Sequence, residues 1–316
     1  MRFLRFEPIY QERVWGGADF STHLRRDLAG LPIPAGESWE IADRPEAESR
    51  VGTGKEEGSL LHELIVKKTK WLMGAHWRPK QRFPVLVKWI SCQQRLSLQV
   101  HPPAELAEVF GGEYKNEVWY VAHAEPQAAI IAGLRKGVTR ERFQQALAGG
   151  AVEALLHRFP VRAGDAIFTP SGRLHAIDAG CLILEIQQNA DTTYRVCDWG
   201  RARRLHIAEA MRCINFDDFE PQPLSHAKGE LCIADCAEFR VRAFALGAGE
   251  VLPATIPGEP AIVSVVSGAL TEVDGSTISL GDNVLLPAAE TFYFTSATPS
   301  RVLITDKFTG CASSGK

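Results

Sequence analysis

The 316-residue chain has no run of eighteen or more apolar residues, so no segment has the length of a membrane-spanning helix and no membrane partner is expected. Its first residues, MRFLRFEPIYQERVWGG, lack the long apolar core and small-residue cleavage site of a secretory signal. There is no C-x-x-C pair, which disfavours a thiolate zinc site of the usual spacing. The seven cysteines (Cys92, Cys181, Cys197, Cys213, Cys232, Cys236 and Cys311) are odd in number and scattered, with only Cys232 and Cys236 close together. Free thiols suit a reducing compartment better than a disulfide scaffold, and the expected location is cytoplasmic. Charge of one sign is also missing. Lys and Arg number 35 against 38 Asp and Glu, a formal net charge of −3. Nucleic acid is therefore not an expected partner, since phosphate-backbone binders usually display a basic face. A local cationic pocket for a single phosphate group is compatible with that balance.

What remains is ordinary globular composition, 45% apolar and 23% charged, on a chain long enough for two modest domains. Most of the periodicity is strand-like. Val85–Ile90, Leu96–His101, Glu117–Ala122, Ala166–Thr169 and Cys181–Gln187 are short, apolar or alternating, and bounded by turn residues or charges. Helical patterns are fewer: Ser59–Met73, two short helices within Thr139–Phe159 broken at Gly149-Gly150, and Leu205–Cys213. After Phe219 the polar, proline-containing stretch EPQPLSHAKGE reads as a linker. Beyond it the chain is almost all β: Leu231–Ala234, Phe239–Leu246, Ala261–Val266, Val284–Leu286, Thr291–Phe294 and Val302–Asp306. A weak repeat crosses the linker, with Gly164-Asp165 and Gly281-Asp282 each leading into an apolar strand that ends at Pro170 or Pro287. The pattern predicts a mostly β fold of two related barrels, the first with short helical insertions and spanning 1–222, the second spanning 223–316.

Three segments carry chemistry. Gly164 to His175 fits G-x5-P-x-G-x2-H, the second cupin motif, in which glycines permit tight turns, proline ends a strand and histidine enters the next strand facing inward. The asparagine that usually follows is replaced by Ala179. In Leu96-Ser-Leu-Gln99-Val-His101, strand alternation puts Gln99 and His101 on one face and Leu96, Leu98 and Val100 on the other. Lys115-Asn-Glu117 opens a third apolar strand. Together they offer an amide oxygen, two imidazoles and one carboxylate, mixed N/O ligation that suits Zn²⁺ with a position left open. Taken alone, His175 reads equally as a hydrogen-bonded structural residue and Gln99 as barrel lining. Trp15 and Trp39 suit sugar stacking or core packing equally. The second β segment has no histidine after Pro287, so a metal site there is not expected.

With Trp15-Gly16-Gly17, Gly36 to Ile41, Phe83 to Lys88 and Glu185 to Arg201, these segments make the chain resemble type I mannose-6-phosphate isomerases in their short bacterial form, over most of residues 13–201. The resemblance implies two cupin-type barrels and one Zn²⁺ per chain on Gln99, His101, Glu117 and His175. It implies a small sugar phosphate as substrate and proton transfer between C1 and C2. Such a reaction needs a Lewis acid, a base and cations for the phosphate. The family's active-site arginine falls on Arg195, and Lys115 and Asp191 become candidates for proton relay. Glu185, on a strand face with Ile183 and Gln187, is a further candidate, either reacting or orienting a neighbour. Arg201, Arg203 and Arg204 form a basic cluster that reads as solvated surface. The expected assembly is a monomer or homodimer. Rival readings are an Fe²⁺ cupin oxygenase, against which Gln99 and the Lys115/Arg195 pair speak, a non-catalytic sugar-binding or regulatory cupin, and an isomerase of a different sugar phosphate.

Overall fold

The computed structural model describes residues 2–31, 33–78 and 80–308. Cys311 lies outside them. The expected β-dominated architecture is present as two barrels of paired sheets. In the first, a seven-stranded sheet runs in the order Leu224–Ser225, Asp165–Thr169, Glu117–Ala124, Cys181–Gln188, Val85–Cys92, Ala35–Ile41 and Ile9–Glu12. Opposite it, five strands run in the order Leu156–Pro160, Ala129–Leu134, His175–Ile177, Leu98–Val100 and Tyr194–Cys197. The sheets meet through Ile90, Trp119, Val121, Ile167 and Ile183 from one side and Ile130, Ala132 and Ile177 from the other.

Strand alternation sorts the remaining side chains into layers. On the seven-stranded sheet, Val87, Trp89, Val118, Tyr120, Leu184 and Ile186 point away from the barrel interior and pack with Val241, Ile262, Leu285 and Leu303 of the second barrel. The outer face of the five-stranded sheet carries Leu98, Val100, Ile131 and Val196, covered by Phe143 and Met211 from the helices Arg140–Ala148 and Ile207–Cys213. The second barrel closes its own interior with Phe3, Val263, Val265, Leu270, Phe292 and Phe294.

The weak repeat corresponds to two equivalent turns. Gly164 and Gly281 both have positive φ, 96° and 91°, before the strands Asp165–Thr169 and Asn283–Leu286. Each turn touches the other barrel. The Gly281 carbonyl accepts Trp89 Nε1 at 3.2 Å and Arg26 Nη2 at 2.8 Å, and a Cβ on Gly164 would lie 3.0 Å from Arg301 Nη1. Strands also cross the linker. Leu4–Arg5 pairs with Val284 and Leu285, whereas Leu224–Ser225, within the stretch read as a linker, pairs with Asp165 and Ala166.

Two helical expectations are corrected. Ser59–Met73 forms two helices, Leu61–Lys67 and Thr69–Leu72, separated at Lys68, whose φ −130°, ψ 35° is not helical. The second helix expected after Gly149-Gly150 is one 3₁₀ turn, Val152–Leu155, followed by the strand Leu156–Pro160. That strand finds a ladder partner in Ala129–Leu134, a pairing that local periodicity does not reveal.

Candidate metal centre and active-site cavity

Antiparallel pairing places the candidate residues in rows, because directly paired residues share a sheet face. Across the five-stranded sheet, Gln99 pairs with His175 on one side and Arg195 on the other. Across the seven-stranded sheet, Glu185 pairs with Lys88 and Trp119, and Gln187 pairs with Glu117. The two rows face each other over the barrel interior. His101 follows its short strand, and its carbonyl accepts the N–H of Gly172 at 2.9 Å. Gly172, at φ 87°, is the glycine of the motif that leads to His175.

His101, Glu117 and His175 are buried, and one ligand atom from each lies within 4.8 Å of the others. His101 Nε2 is 3.2 Å from Glu117 Oε2, and His175 Nε2 is 3.4 Å from Glu117 Oε1. Yet His101 Nε2 and both Glu117 oxygens make no hydrogen bond. Three buried polar atoms converging without hydrogen-bond partners fit a cation, which would replace the missing bonds. The opposite ring nitrogens support this. His101 Nδ1 lies 3.0 Å from the Thr192 carbonyl and His175 Nδ1 lies 2.8 Å from the Arg173 carbonyl. Each Nδ1 then carries the proton and leaves the Nε2 lone pair toward the centre. Burial, with only partial opposition from Glu117, lowers the His175 pKa to about 3, so the imidazole is neutral at pH 7. Burial and Lys115 likewise hold His101 below its ordinary range, outweighing Glu117. Burial alone would raise Glu117, but Lys115 and the two histidines bring it well below the usual carboxylate range. A centre with two neutral imidazoles and one carboxylate would leave a divalent ion with net positive charge. The Gln99 amide completes the row, its Nε2 3.3 Å from His175 Nε2 and its Oε1 receiving Ser97 Oγ at 3.3 Å. A half-turn of the amide exchanges nitrogen for oxygen at that point.

Next to the centre lies a cavity of about 380 Å³, lined by Trp15, Lys88, Gln99, Lys115, Glu185, Asp191 and Arg195 among others. All four expected non-ligand residues therefore lie at one opening. Lys115 Nζ is 3.1 Å from Glu117 Oε2 and 3.1 Å from Gln187 Oε1, linking the cavity to the centre. Glu185 is buried, with Oε1 2.9 Å from Lys88 Nζ and Oε2 accepting Trp119 Nε1 at 2.8 Å. Burial, then the charge of Glu117, raise its pKa against Lys88 and Lys115. Asp191 lies on the exposed rim, its backbone N–H donating to Glu113. Arg195 donates Nη1 to the Arg204 carbonyl at 2.7 Å, and its buried Nε has no partner. Among the described residues it has no carboxylate ion partner. Burial and Arg203 lower its pKa against the pull of Asp198.

Lys88, Glu37, Arg13 and Arg203, to which the sequence assigned no site role, also line the cavity. Lys88 had a signal, a single charge inside the largely apolar run of Val85–Cys92, whereas Glu37 shares its strand with Glu40 and Ser38. Burial would lower Lys88, but Glu185 and Glu37 raise it above its ordinary range. Burial would raise Glu37, but Lys88, Arg13 and the Trp39 N–H bring it down to about 2. Trp39 thus binds Glu37 from the core, whereas Trp15 faces the cavity under Arg203, whose guanidinium lies 5.0 Å from the ring centroid. Arg203, in the cluster read as solvated surface, also clamps Asp198. Gly16 and Gly17 have a steric reason in that loop, since a Cβ on Gly16 would meet the Ala35 backbone at 2.5 Å.

Residues 3–116 match the model of the phosphomannose isomerase type I catalytic domain. The mannose-6-phosphate isomerase ManA of Bacillus subtilis (strain 168) is 33% identical over 309 residues, 90% of this chain and 92% of that protein. This chain belongs to the type I phosphomannose isomerases. The mannose-6-phosphate isomerase of Streptococcus mutans is 37% identical over 220 residues, 65% of this chain and 67% of that protein. The crystal structure of the mannose 6-phosphate isomerase from Bacillus subtilis superposes with a TM-score of 0.81 at 26% identity, covering 96% of this chain and 99% of that one. No helix among the described residues is long and apolar enough to cross a membrane.

Proposed function

We propose that this chain is a zinc-dependent aldose–ketose isomerase that interconverts mannose 6-phosphate and fructose 6-phosphate by proton transfer between C1 and C2. The observation that carries the reading is the convergence of buried His101, Glu117 and His175, with His101 Nε2 and both Glu117 oxygens lacking hydrogen bonds, next to a cavity lined by five cations and three carboxylates. The cations are Arg13, Lys88, Lys115, Arg195 and Arg203, and the carboxylates Glu37, Glu185 and Asp191. That surplus matches a phosphomonoester, which carries about −1.5 to −2 at neutral pH. In this reading Gln99, His101, Glu117 and His175 hold one Zn²⁺. The chemistry supplied by the ion is polarisation of a sugar oxygen as negative charge develops.

The chain's own groups do the rest. Arg195, without a carboxylate ion partner among the described residues, binds the anionic substrate and orients the open chain. Lys115 and Asp191 relay the proton, and Glu185, held by Lys88 and Trp119, keeps the floor polar and fixed. We assign catalysis to residues 1–222 and a metal-free packing role to 223–316. The protein would act in the cytoplasm as a monomer or homodimer. The test is an isomerase assay on purified protein with metal analysis. Turnover of mannose 6-phosphate should vanish on chelation and return with Zn²⁺. A fully zinc-loaded protein without isomerase turnover would show the reading to be wrong.

A further inference from the structure

We propose that Glu238, contributed by the second barrel, is a positioning residue that sets Lys115 in the first. The inference rests on the reading above, in which Lys115 acts on the substrate. Glu238 is buried at the turn between the strands Gly229–Asp235 and Arg240–Leu246. Its two oxygens are shared between the two residues that flank Lys115. Oε1 accepts the Tyr114 hydroxyl at 2.9 Å, and Oε2 accepts Asn116 Nδ2 at 3.1 Å.

The turn that presents Glu238 is itself held. Cys236 N–H donates to the Phe239 carbonyl at 3.0 Å, and Phe239 is fully buried in the core between the barrels. Arg240 then forms a two-fold bond to Asp306 at 2.7 and 2.8 Å. On the other side, Asn116 is a junction. Its Oδ1 accepts the Ser171 N–H at 2.9 Å, in the turn that leads to His175, and its N–H donates to Gln188 Oε1 at 2.8 Å. Lys115 therefore sits between two anchored neighbours, with its Nζ 3.1 Å from Glu117. A displacement of about 1 Å at such a group is enough to cost large factors in rate. The second barrel thus reaches the chemistry through one carboxylate.

The experiment compares wild type, Glu238→Ala and Glu238→Gln as full-length, zinc-loaded protein. Glu238→Ala should lower kcat about tenfold or more with KM within about threefold and zinc content unchanged. Amide hydrogen exchange over residues 113–117 should accelerate, while exchange in the strand Ala261–Ser267 stays at the wild-type rate. Glu238→Gln retains one acceptor oxygen and should fall between the two. If Glu238→Ala does not fold, Tyr114→Phe deletes the hydroxyl alone and should show the same exchange pattern with a smaller loss of kcat. Wild-type kcat per bound zinc in Glu238→Ala overturns the proposal. So does a loss of activity that only tracks lost zinc, or faster exchange spread evenly over both barrels. The exchange readout does not need turnover, so an inactive wild type would sink the isomerase reading and leave the hold on residues 113–117 separately decided.

Discussion

Replacing Lys88 by methionine asks whether the cavity floor is held together by charge. Lys88 Nζ sits 2.9 Å from Glu185 Oε1 with both side chains buried, and its charge also offsets Glu37. At that distance an effective dielectric of about 20 gives a gross attraction of roughly 6 kcal/mol, much of it cancelled by desolvation. Removing the ammonium alone leaves Glu185 buried beside Glu117 without its main counter-charge. The expected cost is about 3–5 kcal/mol of unfolding free energy at pH 7. Adding Glu185→Gln removes the stranded charge while an amide oxygen still accepts the Trp119 N–H. The double variant should therefore regain most of the loss, ending about 1–2 kcal/mol below wild type. The sign with pH follows from Glu185. Its folded pKa already lies above the ordinary carboxylate value and would rise further without Lys88, so the penalty is full above the folded pKa and fades as protonation sets in. Lys88→Met should thus gain on wild type as pH falls toward 5. Urea unfolding of the four proteins of the cycle, at several pH values, supplies the numbers. Additive single effects, with coupling below about 0.5 kcal/mol, would refute the argument.

Two further outcomes separate ligation from substrate binding and set an acid limit. His175→Ala should lose bound metal on dialysis, whereas Arg195→Ala should keep it and lose about a hundredfold in kcat/KM, read by metal analysis and steady-state assay. Equal metal loss in both variants would contradict this division. Glu37, brought down to about 2 from 4.5, contributes about 3 kcal/mol that is complete above pH 4.5 and is lost as pH falls toward 2. Glu37→Gln should therefore flatten acid destabilisation across that window, measured by urea midpoints between pH 5 and 2.5.

Part of the site was legible in the chain because a strand has a period of two. Alternation placed Gln99 beside His101 and Glu185 beside Gln187, and the motif glycines marked turns that do adopt positive φ. The rest depended on pairings remote in sequence. Val152 to Phe159 has apolar residues that satisfy either a helix or a strand, and only the Ala129–Leu134 ladder decides between them. Lys88 is one charge in an apolar strand, and its partners Glu37 and Glu185 come from the strands on either side. Arg203 belongs to a charged cluster that reads as surface, and only the fold sets it over Trp15 on the cavity wall.

The sequence by itself determined which side chains share a strand face, where the glycine turns fall, and which residue types a cation would find. Backbone geometry imposes these choices within a few residues, so they can be read locally. Only the tertiary structure decided which faces meet. It brought the Gln99 row opposite the Glu117 row, stacked the second barrel on the back of the sheet that carries Glu117, and placed Glu238 against the neighbours of Lys115. Those outcomes follow from burying apolar faces contributed by segments remote from one another in sequence, which no local period records.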